Sequence, residues 1–195
     1  MGKVICLMGK SSTGKDTILK LLKEDIELEL KMIITYTTRP IRSNENNGIE
    51  YFFIDDKILK EFEADGKVIE KRGYNTVAGI WNYCTIDDGQ IQLDKGNHIL
   101  ITTLEAYKKI QNYFEPENVV PIYVAVDDGI RLERAIIREK QQLSPNYDEL
   151  CRRFLADTVD FSVEKLEELQ IIKYYDNYHL NECYHHIKKD LMKII

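Results

Sequence analysis

Residues 3–22 read KVICLMGKSSTGKDTILKLL. The run from Lys3 to Met8 is a short buried strand, and Ile18, Leu19, Leu21 and Leu22 follow at helical spacing. Between them, Gly9 and Gly14 stand five apart with Lys15 directly after, the G-x-x-x-x-G-K order of a loop that cradles phosphates. Glycines let the backbone curl so that the N–H groups of Ser11, Ser12 and Thr13 point inward at phosphate oxygens. The helix N-terminus adds its positive end, and Lys15 reaches the terminal phosphates of a nucleoside triphosphate. The competing reading, a strand-to-helix turn with an incidental lysine, has to explain the strand before and the helix after. The pattern asks for Ser or Thr after the lysine, and Asp16 stands there. That position serves Mg²⁺, which accepts a carboxylate as a hard oxygen ligand, and Thr17 offers a hydroxyl one residue on.

Outward from this strand, loop and helix, the apolar runs His98 to Thr102, Val119 to Val126 and Ile171 to Tyr175 alternate with helix-like segments, Leu104 to Phe114 and Ile130 to Leu143. Such alternation predicts an α/β fold, a parallel sheet flanked by helices. From about Thr37 to Asp88 the rhythm breaks into short aromatic or β-branched pieces, Tyr51 to Ile54, Val68 to Lys71 and Trp81 to Thr85, between Asn- and Gly-rich turns. An inserted, mostly β subdomain is expected there. The stretch from Arg131 to Arg153, interrupted at Ser144-Pro145, reads as a helical flap.

At 195 residues the chain is sized for one domain. Its net charge of −6 disfavours general nucleic-acid binding, so a polyanionic ligand must be held by local clusters of Arg and Lys. No apolar run approaches the ~20 residues that cross a bilayer. Cys6, Cys84, Cys151 and Cys183 lack metal-binding spacing and read as free thiols of a cytoplasmic protein. His179, His185 and His186 near Cys183 read as solvated residues of an amphipathic C-terminal helix.

The segment TTRPIRSNENNGIEYFF, residues 37–53, sets Thr37, Thr38, Arg39, Pro40, Arg42, Glu45, Gly48 and Tyr51 in an order that resembles the guanylate kinase signature. Two guanidinium forks three residues apart can clamp a phosphate, with the Tyr51 hydroxyl as a further donor. Pairing of the arginines with Glu45 and Glu50 is the alternative. The segment FEADGKVIEKRGY is similar to the family stretch that carries the guanine-reading glutamate, which the resemblance places at Glu70; Thr35 matches the hydroxyl residue at the base. Arg134 and Arg138, one helical turn apart, and Arg153 resemble the lid arginines, and Asn177 the residue near the donor adenine.

The resemblance implies a P-loop NTPase fold. Its core would be residues 1–36 and 89–195, with a monophosphate-binding insertion at about 37–88 and a lid at about 130–153. It implies ATP and Mg²⁺ as ligands and phosphoryl transfer to GMP or dGMP. Lys15, Arg39, Arg138 and Arg153 would be catalytic. Gly9, Ser11, Ser12, Thr13, Gly14, Lys15, Asp16, Thr17, Arg134 and Asn177 would hold ATP, with the metal at Asp16 and Thr17. Thr35, Arg39, Arg42, Tyr51, Glu70, Gly79 and Thr102 would hold the acceptor. No nucleic acid or membrane is expected as partner, and the chain would be a monomer or homodimer.

Two departures stand out. The aromatic-Gly-hydroxyl triplet that follows the glutamate is represented by Ala78-Gly79-Ile80, one residue short, leaving Tyr74 or Tyr83 as substitutes. Leu100 and Thr102 occupy the places of an Asp-x-Asp pair. A kinase acting on another nucleotide or a ribose bisphosphate, and a non-catalytic guanylate kinase-like binding module, are the other readings.

Overall fold

The computed structural model describes residues 1–42, 45–76 and 79–195. In chain order the strands are β1 (Val4–Met8), β2 (Lys31–Met32), β3 (Tyr36–Thr37), β4 (Phe52–Phe53), β5 (Val68–Thr76), β6 (Gly79–Ile86), β7 (His98–Ile101), β8 (Val119–Ala125) and β9 (Tyr174–Asp176). The helices are α1 (Lys15–Glu24), α2 (Asp56–Ala64), α3 (Leu104–Phe114), α4 (Asp128–Lys140), α5 (Tyr147–Asp160), α6 (Val163–Glu168) and α7 (Leu180–Leu191).

An apolar run with no alternation, VICLM, suits a strand covered on both faces, and β1 is buried at every residue. It lies at the centre of a parallel sheet ordered β2-β7-β1-β8-β9, paired with β7 from Val4↔His98 and with β8 from Val4↔Val119. Side chains alternate between the faces. Val4, Cys6 and Met8 pack in one core with Leu104, Tyr107 and Ile110 of α3. Ile5 and Leu7 pack on the opposite face with Ile18 and Leu22 of α1 and with Cys183, Ile187 and Leu191 of α7. The strands before and after β1 in space, β7 and β8, both follow it in the chain. The crevice beyond the carboxyl end of β1, where α1 begins, is therefore the place where open parallel sheets take ligands.

A second sheet has the order β4-β3-β6-β5. Tyr36, Phe52, Cys84 and Ile86 on one face pack against Leu59 of α2. The register pairs Thr37 with Tyr83 and Phe53, Arg72 with Tyr83, and Glu70 with Thr85, which puts these side chains together on the opposite face. The small sheet thus has one greasy face and one face of hydroxyl, charged and aromatic groups.

Some sequence expectations shift. The strand expected from Ile171 begins at Tyr174. Ile171 is instead buried in the first core, and its N–H closes the end of α6 on the Leu166 carbonyl at 2.9 Å. The helix expected over 130–143 runs from Asp128 to Lys140, because the Asp127 carboxylate caps it by accepting from Gly129 N at 2.8 Å. Helix α2 lies inside the stretch that reads as mostly β, and its N-cap is Asp55, which accepts from Ile58 N at 2.8 Å.

Cys6, Cys84 and Cys183 are buried and unbridged, and burial pushes the thiol of Cys183 up to about 11. Among the described residues no helix is long and apolar enough to cross a membrane, and no cluster of three or more His, Cys, Asp or Glu side chains could hold a metal ion.

Candidate active site

The glycine loop is curled as its spacing requires. Gly9 has φ +152°, and a Cβ there would stand 2.4 Å from the Val124 carbonyl oxygen. Gly14, at φ +87°, precedes α1 in the left-handed region and offers no side-chain cap, so the first amides of the helix are open to an anion. The loop is held from inside: the Thr13 hydroxyl donates to the Lys10 carbonyl at 2.9 Å, and Asn177 Nδ2 donates to the Thr13 carbonyl at 2.7 Å. Asn177 is buried and its backbone N–H donates to the Ala125 carbonyl at 2.8 Å. The residue that the resemblance sets near the adenine thus braces the phosphate loop. The Lys15 side chain is largely covered, with its ammonium 3.8 Å from the exposed Asp16 carboxylate. Thr17 is exposed.

Ser12 takes φ 64°, and its hydroxyl is buried with no hydrogen-bond partner among the described residues. A Cβ in the left-handed region costs roughly 1–2 kcal/mol, and glycine avoids the clash at some entropic cost in the unfolded chain. Ser12→Gly is therefore expected to stabilise the ligand-free fold by about 1 kcal/mol, a rise of roughly 2–4 °C in Tm. Thermal denaturation checks this; a lowered Tm would mean that the serine side chain holds the loop together.

Helices α4 and α5 meet the loop through a residue the sequence reading passed over. Arg131 is 1% exposed. Its Nε donates to Asp128 Oδ1 at 2.9 Å, and its Nη1 donates to the Ser11 carbonyl at 3.0 Å and to Asp157 Oδ2 at 3.2 Å. Its guanidinium also stacks 4.4 Å from the Phe154 ring centre. Asp157 Oδ2 accepts the Ser11 N–H at 2.8 Å. The available signal was the i, i+3 pair Asp128/Arg131 at the start of the helix. Of the expected lid arginines, Arg138 and Arg153 line a small recess with Ser11 and Ser12. Arg134 is turned aside, with Nη2 donating to the Asn177 carbonyl at 3.0 Å. Arg153 also lies 3.5 Å from Glu149 Oε1.

On the small sheet, Arg39 and Arg42 differ. Arg39 is buried, and its two terminal nitrogens donate to Glu45 Oε2 at 2.7 Å and Oε1 at 2.6 Å. Its guanidinium centre sits 5.0 Å from the Tyr51 ring and 5.1 Å from the Phe53 ring. The hydrogen bonds from Arg39 draw the Glu45 carboxyl down to about 2. Arg42 is exposed; its backbone N–H donates to Glu45 Oε2 at 3.0 Å, and its guanidinium has no partner among the described residues. The two arginines read from the sequence as one clamp are thus a buried anchor and an open fork. Tyr51 and Tyr83 meet edge to face at 5.6 Å, as do Tyr83 and Tyr74. Of the two candidate substitutes for the missing tyrosine, Tyr83 lies directly against Tyr51.

Glu70 is buried and accepts from Arg72 Nε at 2.9 Å, Arg72 Nη2 at 3.2 Å and the Thr85 hydroxyl at 2.9 Å. Burial alone would lower the pKa of the Arg72 guanidinium, but its pairing with Glu70 holds it above the ordinary value. Thr35 precedes β3, and its carbonyl accepts the Phe52 N–H at 2.9 Å. Thr102 is buried just past β7, with its N–H on the Leu7 carbonyl at 3.0 Å. Gly79 is exposed and pairs with Thr76, six residues along β5 from Glu70 and roughly 20 Å away by strand rise. The hairpin therefore does not bring Gly79 to Glu70. Ala78 lies outside the described residues.

The arrangement pairs a curled glycine loop at the carboxyl end of β1 with a polar, arginine-bearing sheet face. A guanylate kinase family model matches residues 1–192. The guanylate kinase of Mesomycoplasma hyopneumoniae strain J is 27% identical over 199 residues, covering 100% of this chain and 96% of that protein. That of Campylobacter jejuni strain RM1221 is 28% identical over 138 residues, covering 70% of this chain and 65% of that protein. The crystal structure of guanylate kinase from Anaplasma phagocytophilum shares the fold with a TM-score of 0.62 at 20% identity, over 98% of this chain and 85% of that one. A match that runs from the glycine loop through the arginine-bearing sheet to the last helix makes this protein a member of the guanylate kinase family, a nucleoside monophosphate kinase.

Proposed function

We propose that the protein transfers the γ-phosphoryl group of ATP to GMP or dGMP, giving ADP and the nucleoside diphosphate. The observation that carries this reading is the phosphate cradle: an α1 N-terminus without a side-chain cap, two glycines at positive φ, and a buried Ser12 hydroxyl without a partner among the described residues. In this reading the first amides of α1 and Lys15 bind the donor phosphates, while Arg42 and Tyr51 bind the acceptor phosphate and the buried Arg39 holds that segment in place through Glu45. Residues 37–88 form the acceptor-binding insertion on the core of 1–36 and 89–195, and residues 130–153 form the lid. Asp16 and Thr17 are exposed hard-oxygen groups beside Lys15, which fits Mg²⁺, an ion that uses one or two protein ligands together with substrate phosphates. Bound there, Mg²⁺ supplies neutralisation of the charge on the donor phosphates.

An oxygen of the acceptor phosphate attacks the γ-phosphorus as the bond to the β–γ bridging oxygen breaks, and ADP leaves with that oxygen. The acceptor phosphate is already a nucleophile near neutral pH, so no general base is needed; the residues act by positioning and by charge. Arg138 and Arg153, on the recess beside Ser11 and Ser12, are placed to offset charge on the equatorial oxygens and to exclude water. A cytoplasmic location fits the unbridged cysteines.

The test is ATP turnover against GMP, dGMP, AMP, CMP, UMP and ribose 1,5-bisphosphate. The guanine nucleotides are expected to give the highest kcat/KM. Turnover confined to the sugar bisphosphate would replace the acceptor, and no turnover with any of them would favour a binding module.

A further inference from the structure

Arg131 and Asp157 carry no part of the sequence signature, yet between them they hold the main chain of the glycine loop on both sides of one residue. Arg131 Nη1 donates to the Ser11 carbonyl at 3.0 Å, and Asp157 Oδ2 accepts the Ser11 N–H at 2.8 Å. The same two groups pair with each other at 3.2 Å, which closes a ring of hydrogen bonds around Ser11. The ring is sealed from solvent, with the Arg131 side chain 1% and the Asp157 side chain 15% exposed. Asp128 fastens a second point, accepting from Arg131 Nε at 2.9 Å and from Lys10 Nζ of the loop at 3.4 Å. Ser12, directly after the clamped residue, has φ 64°. A strained backbone angle persists where its surroundings over-determine it, and here the clamp on Ser11 does so.

An ion pair that only joined two helices would be indifferent to the loop. This one takes its remaining hydrogen bonds from loop backbone, and it lies at one end of the stripes that carry the lid arginines. Arg138 is two turns beyond Arg131 on α4, and Arg153 is one turn before Asp157 on α5, so each pair shares a helix face. Arg131 also stacks on Phe154, the neighbour of Arg153. Arg138 and Arg153 are exposed and line one recess with Ser11 and Ser12, whereas Arg131 is buried behind it. From this we infer that Arg131, with Asp157, is a positioning residue for phosphoryl transfer. It does not touch the nucleotide; it fixes the register between the glycine loop and the two arginines that offset charge on the transferring group. A misplacement of about 1 Å in such a constellation costs up to about 100-fold in rate. The inference rests on the monophosphate kinase reading.

The experiment measures kcat, KM for ATP and KM for GMP in the parent, Arg131→Lys, Arg131→Met and Asp157→Asn, well below the melting temperature of each. Methionine keeps packing on Phe154 and gives up every hydrogen bond; asparagine keeps the shape and an oxygen for the Ser11 N–H and gives up the charge. Arg131→Met is expected to lower kcat by about 10- to 100-fold with KM for GMP within about twofold of the parent, because the acceptor sheet is untouched. Arg131→Lys should recover part of the loss, since one ammonium replaces a planar fork, and Asp157→Asn should show a smaller loss of the same kind. The decisive readout is a double-mutant cycle with Arg138→Ala. Once loop and lid are out of register Arg138 has less to contribute, so its removal is expected to cost at least about fivefold less in kcat in the Arg131→Met background than in the parent. Thermal melts report folding; if Arg131→Met does not fold, the cycle is run with Asp157→Asn, where the cost of Arg138→Ala should again fall. A purely structural Arg131 lowers Tm alone. Folded variants with kcat within about twofold of the parent, or an unchanged cost of Arg138→Ala, overturn the inference while the kinase reading stands. Absence of turnover in the parent with every monophosphate overturns both.

Discussion

Replacing Lys15 by alanine is expected to slow phosphoryl transfer by about 10³- to 10⁵-fold, the scale seen when one positive side chain is removed from a transferring phosphoryl group. Lys15 opens α1 directly after Gly14, and among the described residues the one carboxylate near its ammonium is that of Asp16 at 3.8 Å. The fold does not depend on it: Ile18 and Leu22 are the residues by which α1 enters the core, and alanine is the best helix former for the vacated position. The variant should therefore melt like the parent and keep its circular dichroism spectrum while its turnover collapses. Stopped assays with ATP and GMP across a wide range of enzyme concentration can read a loss of that size. Turnover within tenfold of the parent would mean that the donor phosphates lie elsewhere, and the glycine loop would then be a structural turn.

The curled glycine loop was legible because its signal is local. Gly9, Gly14 and Lys15 are fixed by spacing within one loop, and the flanking strand and helix are readable from periodicity. The same holds for the central sheet, whose apolar runs become β1, β7 and β8 within a residue or so. What was not legible depends on residues far apart in sequence. Arg131 reaches Ser11 across 120 residues, and Asn177 reaches Thr13 across 164, so their bracing of the loop has no local pattern. The run from Ile171 to Tyr175 reads as one strand, but the Ile171 N–H is drawn back onto the Leu166 carbonyl beyond α6, a hydrogen bond that apolar patterning does not show. The Glu70/Arg72 pair is an intermediate case. Its i, i+2 spacing was visible, but that the arginine folds back onto the carboxylate depends on burial and on Thr85 of the neighbouring strand.

The arginines of the small sheet give the second large effect, because one is buried and the other is not. Arg39→Ala removes a bidentate partner that Glu45 accepts through both oxygens, and it leaves a carboxylate only 11% exposed without its guanidinium. Breaking a buried pair from one side costs about 3–5 kcal/mol. Arg39→Lys should recover only part of this, since a single ammonium cannot reproduce the planar fork. Arg42→Ala, by contrast, removes an exposed guanidinium and should leave stability unchanged within about 0.5 kcal/mol. Yet Arg42→Ala should lower kcat/KM for the acceptor by about 10- to 100-fold, as expected for a lost charge-assisted hydrogen bond, with KM for ATP unchanged. The pH dependence separates the stability term further. Glu45 is held near 2 in the folded chain, against an ordinary 4.5, so its contribution is complete above pH 4.5 and fades as the pH falls toward 2. Across that window the stability gap between the parent and Arg39→Ala should close. Urea unfolding of both proteins from pH 6 down to pH 3 measures it, and a gap that stays constant would mean that Arg39 stabilises the sheet by its packing on Tyr51 and Phe53 and not by its charge.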